Sequence, residues 1–323
     1  MAFDASAFIG RSVKEMDAAL KAHQAAAKDG GASKTGVPNV AMEAALASLA
    51  DEAAESTVRR NAALKIGSMR SDARAADVLR VVEQLANPHN CDVGGGQMSI
   101  RRAALLAFTE LANGPETPVV VASCAAVTAL MGHDDPDARE MAVRAMGALG
   151  MHADVVAVAA LLEDEDDVRS AASDTLVALR DHLGGKGLEA IALRLRFETD
   201  DEVRGWALRT LAGLGPSAAS MAGAVAACLE DEGTMELCPP SKALALTALA
   251  AFGEPSAAAY LPAIAALLVD PCQEACVRAA AIEALGRVGR PDEHAEVITE
   301  FLYDSDRSLR GAAAIALKRW DLA

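Results

Sequence analysis

The stretch "DDVRSAASDTLVALR" at 166–180 is rebuilt further on as "DEVRGWALRTLAGLG" at 201–215 and "EACVRAAAIEALGRVG" at 274–289. Each copy has a base, then Ala three residues on, then apolar residues at seven and ten. With the base as anchor, the motif recurs at Arg59, Arg101, Arg139, Arg169, Arg204, Lys242, Arg278 and Arg310. The residue at +3 is Ala in every copy, from Ala62 to Ala313. Offsets −1, +3, +7 and +10 fall within roughly 80° of one another at about 100° per residue, so they form one stripe of an α-helix. The Ala lets a neighbouring helix approach closely while larger residues fill the space around it.

Four copies carry Gly at +11 (Gly150, Gly215, Gly253, Gly289), which suits a left-handed helix end. Acidic runs such as "HDDPD" and "EDEDD" precede the anchors, where they can cap a helix and suit its dipole. Ahead of each anchored helix lies a second apolar-periodic segment, for example "VVVASCAAVTALM" at 119–131 and "YLPAIAALLVD" at 260–270. The unit is therefore a helical hairpin. One hairpin cannot bury its own stripe, but stacked neighbours can.

The run D-x-x-V-R-x-x-A-x-x-x-L-x-x-L-G at 200–215, with its variant at 164–180, resembles the HEAT repeat. The likeness is strongest to the short repeats of the phycobilisome-lyase type and extends over about residues 40–323. The fold it implies is all-α: a right-handed α-solenoid of about eight HEAT-like hairpins over 39–323, preceded by an amino-terminal helix and Gly-rich linker over 1–38. The resemblance further implies that the anchor bases pair with acids of a neighbouring turn as a buried structural ladder. Ser241 and Lys242 depart from the pattern, which predicts a looser rung in the sixth copy.

Composition narrows the function. Aromatics are only 3% of the chain, so the core must be Ala, Leu and Val, as closely packed helices require. A net charge of −16 and a pI near 4.8 disfavour nucleic acid and anionic membrane surfaces as partners. The first twenty residues lack an apolar h-region, and no run of 18 uncharged apolar residues is present. These features, with cysteines read as reduced thiols, lead to the expectation of an intracellular, cytoplasmic protein without membrane insertion.

Three segments break the repeat: the linker "DGGASKTGVP" at 29–38 after a helix over about 8–28, and loops at 87–98 and 231–240. Long loops of this kind either add specificity or drift neutrally. Motifs of chemistry are absent: neither a phosphate-binding GxxxxGK[ST] nor GxSxG occurs. His89 and Cys91 would make at most half a metal site, and no cofactor, metal or catalytic residue is expected. Cys272 and Cys276 are read as a buried or semi-buried pair at a helix start, with redox sensing as the alternative. HEAT-like deoxyhypusine hydroxylases rest their iron on His-Glu dipeptides, and none occurs here.

Offsets +1, +5 and +9 oppose the apolar stripe and should line a concave groove. That face holds six bases and four acids, a net +2 in a chain of −16. Arg60 and Arg102 beside Leu64 and Leu106, extended by Arg144 and Arg209, suggest a partner segment carrying acidic and apolar residues. The plain alternative is solvated arginines lying over their own helices. Trp206 is either a hot spot or the filling of a hollow beside Gly205. The expected function is a non-catalytic interaction scaffold. A bilin lyase or isomerase and a subunit of a larger assembly remain as alternatives, and the oligomeric state stays open.

Overall fold

A computed structural model describes residues 39–69, 73–90, 98–112, 117–197, 199–230 and 238–321. The expected helix at 8–28, the linker 29–38, Cys91 and most of the two long loops lie outside the described residues.

Helices start where the sequence provides an acceptor. Asp135, Asp200 and Asp306 accept hydrogen bonds from the amides of Asp137, Glu202 and Ser308, each satisfying a first-turn donor that has no intrahelical partner. Pro239 and Pro240, expected in a loop, instead open a helix, where no backbone donor is needed. Gly150, Gly215 and Gly253 take positive φ as expected. Gly289 does not: its φ is −80°, and a Cβ there would lie 2.5 Å from the Leu285 carbonyl oxygen. Close approach, not handedness, requires that glycine.

Among the described residues the helices pair as α1 (Val40–Ala50) with α2 (Ser56–Ser68), α3 (Ala75–Ala86) with α4 (Ile100–Ala112), and α5 (Thr117–Leu130) with α6 (Pro136–Ala148). They continue as α7 (Val155–Ala160) with α8 (Asp166–Ala178), α9 (Gly184–Phe197) with α10 (Asp201–Leu214), and α11 (Ala222–Glu230) with α12 (Pro239–Phe252). The last are the short α13 (Glu254–Ala257) and α14 (Leu261–Val269) with α15 (Ala275–Val288), then α16 (Pro291–Glu300) with α17 (Arg307–Arg319). No strand occurs among the described residues. The architecture is an all-α solenoid.

The chain divides into two compact units at Thr175/Leu176, inside α8. In the first, α2 packs on α4 and α4 on α6, while α1, α3 and α5 form a parallel layer of their own. In the second, α10, α12, α15 and α17 pack in succession and α9 packs on α11. The apolar run Asp201–Leu229 is long enough to cross a membrane, yet it is two helices broken at Gly215 and carries Arg204 and Arg209.

Small residues make the joints between successive second helices. At three of these joints the residue eight after one anchor meets the residue six after the next. A Cβ on Gly67 would lie 3.2 Å from the Ala107 Cα, on Gly147 3.4 Å from the Thr175 Cγ2, and on Gly286 2.6 Å from the Ala316 Cβ. Larger residues here would force the helices apart.

Candidate partner-binding face

The anchor bases are buried or nearly so. Arg59 Nε donates to the Leu49 carbonyl (2.9 Å) and Arg278 Nε to that of Leu268 (3.1 Å), each in the last turn of the partner helix of its own hairpin. Arg101, Arg139, Arg169 and Arg310 donate to the carbonyls of Asn87, His133, Asp164 and Asp304, just past that helix end. Such carbonyls lack intrahelical donors and carry the negative end of the dipole. The anchor thus fastens the two helices of a hairpin. The repeat hides this role, because the acceptors are backbone.

Some anchors also reach acids. Arg101 pairs with Asp135 of the next hairpin at 2.5 Å, and Arg139 takes both oxygens of Asp164 at 2.8 and 2.6 Å. Arg204 and Arg169 pair within their own first turns, with Asp201 at 2.9 Å and Asp166 at 3.4 Å. At Lys242 the joint is made beside it: Ser241 Oγ donates to Asp201 at 3.0 Å. Burial pushes the Asp135 carboxyl up, but the Arg101 guanidinium more than reverses this and holds it below the ordinary range. Asp201 behaves alike, with burial opposed by bonds from Cys238 and Ser241 and by the Arg204 charge. Among the described residues Arg59 has no acid partner, and its Nη2 is buried without an acceptor there.

One step along the helices, the groove row divides. At +5, Leu64 is 47% exposed and Leu106 43%, on the adjoining helices α2 and α4. Arg102 is exposed, and its guanidinium has no partner among the described residues. Arg60 donates to the Met98 carbonyl at 3.0 Å and, with Thr57, Asn61, Leu64 and Met98, lines a depression of about 320 Å³. Arg144, on α6, is tied to Glu140 at 2.8 Å.

Arg209 and Trp206 belong to the second unit and form a pair of their own, the guanidinium 4.9 Å from the ring centroid. Trp206 is half-buried. The space at Gly205 is taken by Ser241 and Leu244 of α12, so Trp206 does not fill it, and Gly205 is buried rather than solvent-facing. Met98 was not foreseen as part of the face, since it sits at the end of an irregular loop.

One further expectation changes. Cys272 and Cys276 are both exposed and free, because α15 begins only at Ala275 and Cys272 lies in a turn closed on Asp270. His89 is exposed and lies 3.7 Å from Glu52. Among the described residues no three His, Cys, Asp or Glu side chains gather as a metal site.

The family model for HEAT repeats matches residues 97–177 and 236–318, just over half of the chain. The chain belongs to the HEAT-repeat family. Among solved structures, this HEAT-repeat chain is similar to one in the Kap95:Nup1 complex, with 13% identity and a TM-score of 0.53. That match covers 87% of this chain and 42% of the other, which is therefore much longer. It is also similar to an engineered protein (19% identity, 87% and 78% covered, TM-score 0.43). Human deoxyhypusine hydroxylase follows at 17% identity, 87% and 96% covered, and a TM-score of 0.32. No curated protein matches the sequence. At these identities the likeness extends to the fold alone.

Proposed function

We propose that this HEAT-repeat chain is an interaction scaffold that holds an acidic and apolar protein segment against the second helices of its first two hairpins. The observation that carries this is the side-by-side exposure of Leu64 and Leu106 next to an exposed Arg102 whose guanidinium has no partner among the described residues. Exposed leucines at matching positions of adjoining helices are covered when apolar side chains of a partner settle on them. Arg102 offers a planar fork for a carboxylate, and Arg60 lines the adjacent depression. Arg144 and Arg209 contribute less, because Glu140 and Trp206 already engage them. Membership of the family supports a binding surface and names no partner.

The test is capture from native extract with wild type beside Arg102→Glu and Leu106→Asp, read by mass spectrometry and visible absorbance. A colourless protein partner held by wild type and reduced at least tenfold by both variants supports the reading. Equal capture by all three overturns it. A co-purifying visible band would replace it with the bilin-lyase alternative suggested by the phycobilisome-type resemblance.

A further inference from the structure

The turn ends of the last two hairpins carry side chains that the solenoid packing leaves unused. Val269 ends α14 and is 58% exposed; Tyr303, just past α16, is 87% exposed. One guanidinium connects the two turns. Arg278 Nε donates to the carbonyl of Leu268, next to Val269, and its Cζ lies 5.0 Å from the ring centroid of Phe301, two residues before Tyr303. Asp270 and Glu274 follow Val269, and Glu300 and Asp304 lie on either side of Tyr303. Bonds from the Gln273 side chain and the Cys272 amide hold the Asp270 carboxyl below the ordinary range. The neighbouring bases are mostly turned to the backbone: Arg278 to Leu268, and Arg310 to the Asp304 and Ser305 carbonyls. Lys242, whose charge reaches Asp270, is buried, which leaves Arg307 as an exposed base.

We propose that this edge holds a basic and apolar segment of another protein, with an arginine or lysine over the Tyr303 ring and an aliphatic side chain on Val269. Two other rings of the chain already carry a guanidinium, Trp206 that of Arg209 at 4.9 Å and Phe301 that of Arg278. Among the described residues no cation lies over Tyr303, whose ring is open to solvent. Glu300, Asp304 and Asp270 supply carboxylates to neutralise a cation placed there. A tyrosine with two rotatable bonds offers a large apolar area at low entropic cost, which suits it as an anchor. The net charge of −16 draws a cationic segment in and repels a second copy, which carries the same charge. This segment is opposite in charge to the one proposed for the groove, and the edge belongs to the second unit, so the two readings stand or fall separately.

Fluorescence anisotropy on the full chain tests it, with a labelled synthetic peptide of alternating arginine and leucine as the probe. Wild type should bind the peptide, and Tyr303→Ala should weaken binding about tenfold. Tyr303→Phe, which keeps the ring, should bind like wild type, and Val269→Ser should weaken binding several-fold. Both side chains are exposed, so neither substitution opens a buried cavity. Val156→Ser, at an exposed valine of α7, should leave the affinity unchanged. No binding by wild type would overturn the proposal. Equal binding by Tyr303→Ala would do so too, since it would show only the general attraction of a cation to an acidic chain. A doubled mass in light scattering without peptide, lost in Tyr303→Ala, would identify a second copy as the occupant and overturn it equally.

Discussion

Arg101 and Arg102 are neighbours in the chain and opposite in fate. The first is buried, bonded to the Asn87 carbonyl and paired with Asp135; the second is exposed, its guanidinium without a partner among the described residues. A turn of about 100° separates a residue that holds hairpins together from one that meets solvent. Residue type therefore says little about role here; position relative to the apolar stripe and the supply of acceptors say much more.

The largest expected break in this comparison is Arg101→Met, which strands the Asp135 carboxylate and the Asn87 carbonyl. It should cost about 3 kcal/mol in urea unfolding, whereas Arg102→Met should stay within about 0.5 kcal/mol. Similar costs for the two would erase the distinction. The same contrast between packed and open positions can be sharpened with glycines. Gly286→Ala should lose roughly 1–3 kcal/mol, because the new methyl meets Ala316, while Gly311→Ala, with open space around it, should gain about 0.5–1 kcal/mol from helix propensity.

The smallest effect is that of pH. Asp135 is held below its ordinary value of 3.8 when folded, so its contribution is complete above that value and is lost as the pH falls through the depressed one. The gap between wild type and Asp135→Asn, about 1–2 kcal/mol near neutrality, should close in strongly acidic buffer. A gap constant with pH would show that the pair adds nothing.

The second helix of each hairpin was legible because the anchor, the Ala at +3 and the 3.6-residue stripe repeat together. The anchors' carbonyl acceptors were not, since backbone carries no residue signature. Val58, 47% exposed, reads like Val168, Val203 and Val277 at the same offset, and only the absence of a described neighbour marks it out. On the candidate face, Leu64, Leu106 and Arg102 were legible from offset alone. The engagement of Arg60 with Met98 depends on a loop outside the repeat, and the Arg209–Trp206 stack depends on a side-chain rotamer. Gly289 shows the converse, a residue correctly placed at a helix end for a different physical reason.

The small residues at the joints bear on how such a chain can lengthen. A duplicated internal hairpin carries its own compatible pair of surfaces, one at +8 and one at +6, and slots in beside its parent without further change. A duplicate of the hairpin that carries Lys65 or Lys318 brings a long charged side chain into a +6 or +8 position that the internal hairpins fill with Gly, Ala, Thr or Val. Insertion beside an internal hairpin therefore needs fewer compensating changes than insertion beside one that carries Lys65 or Lys318.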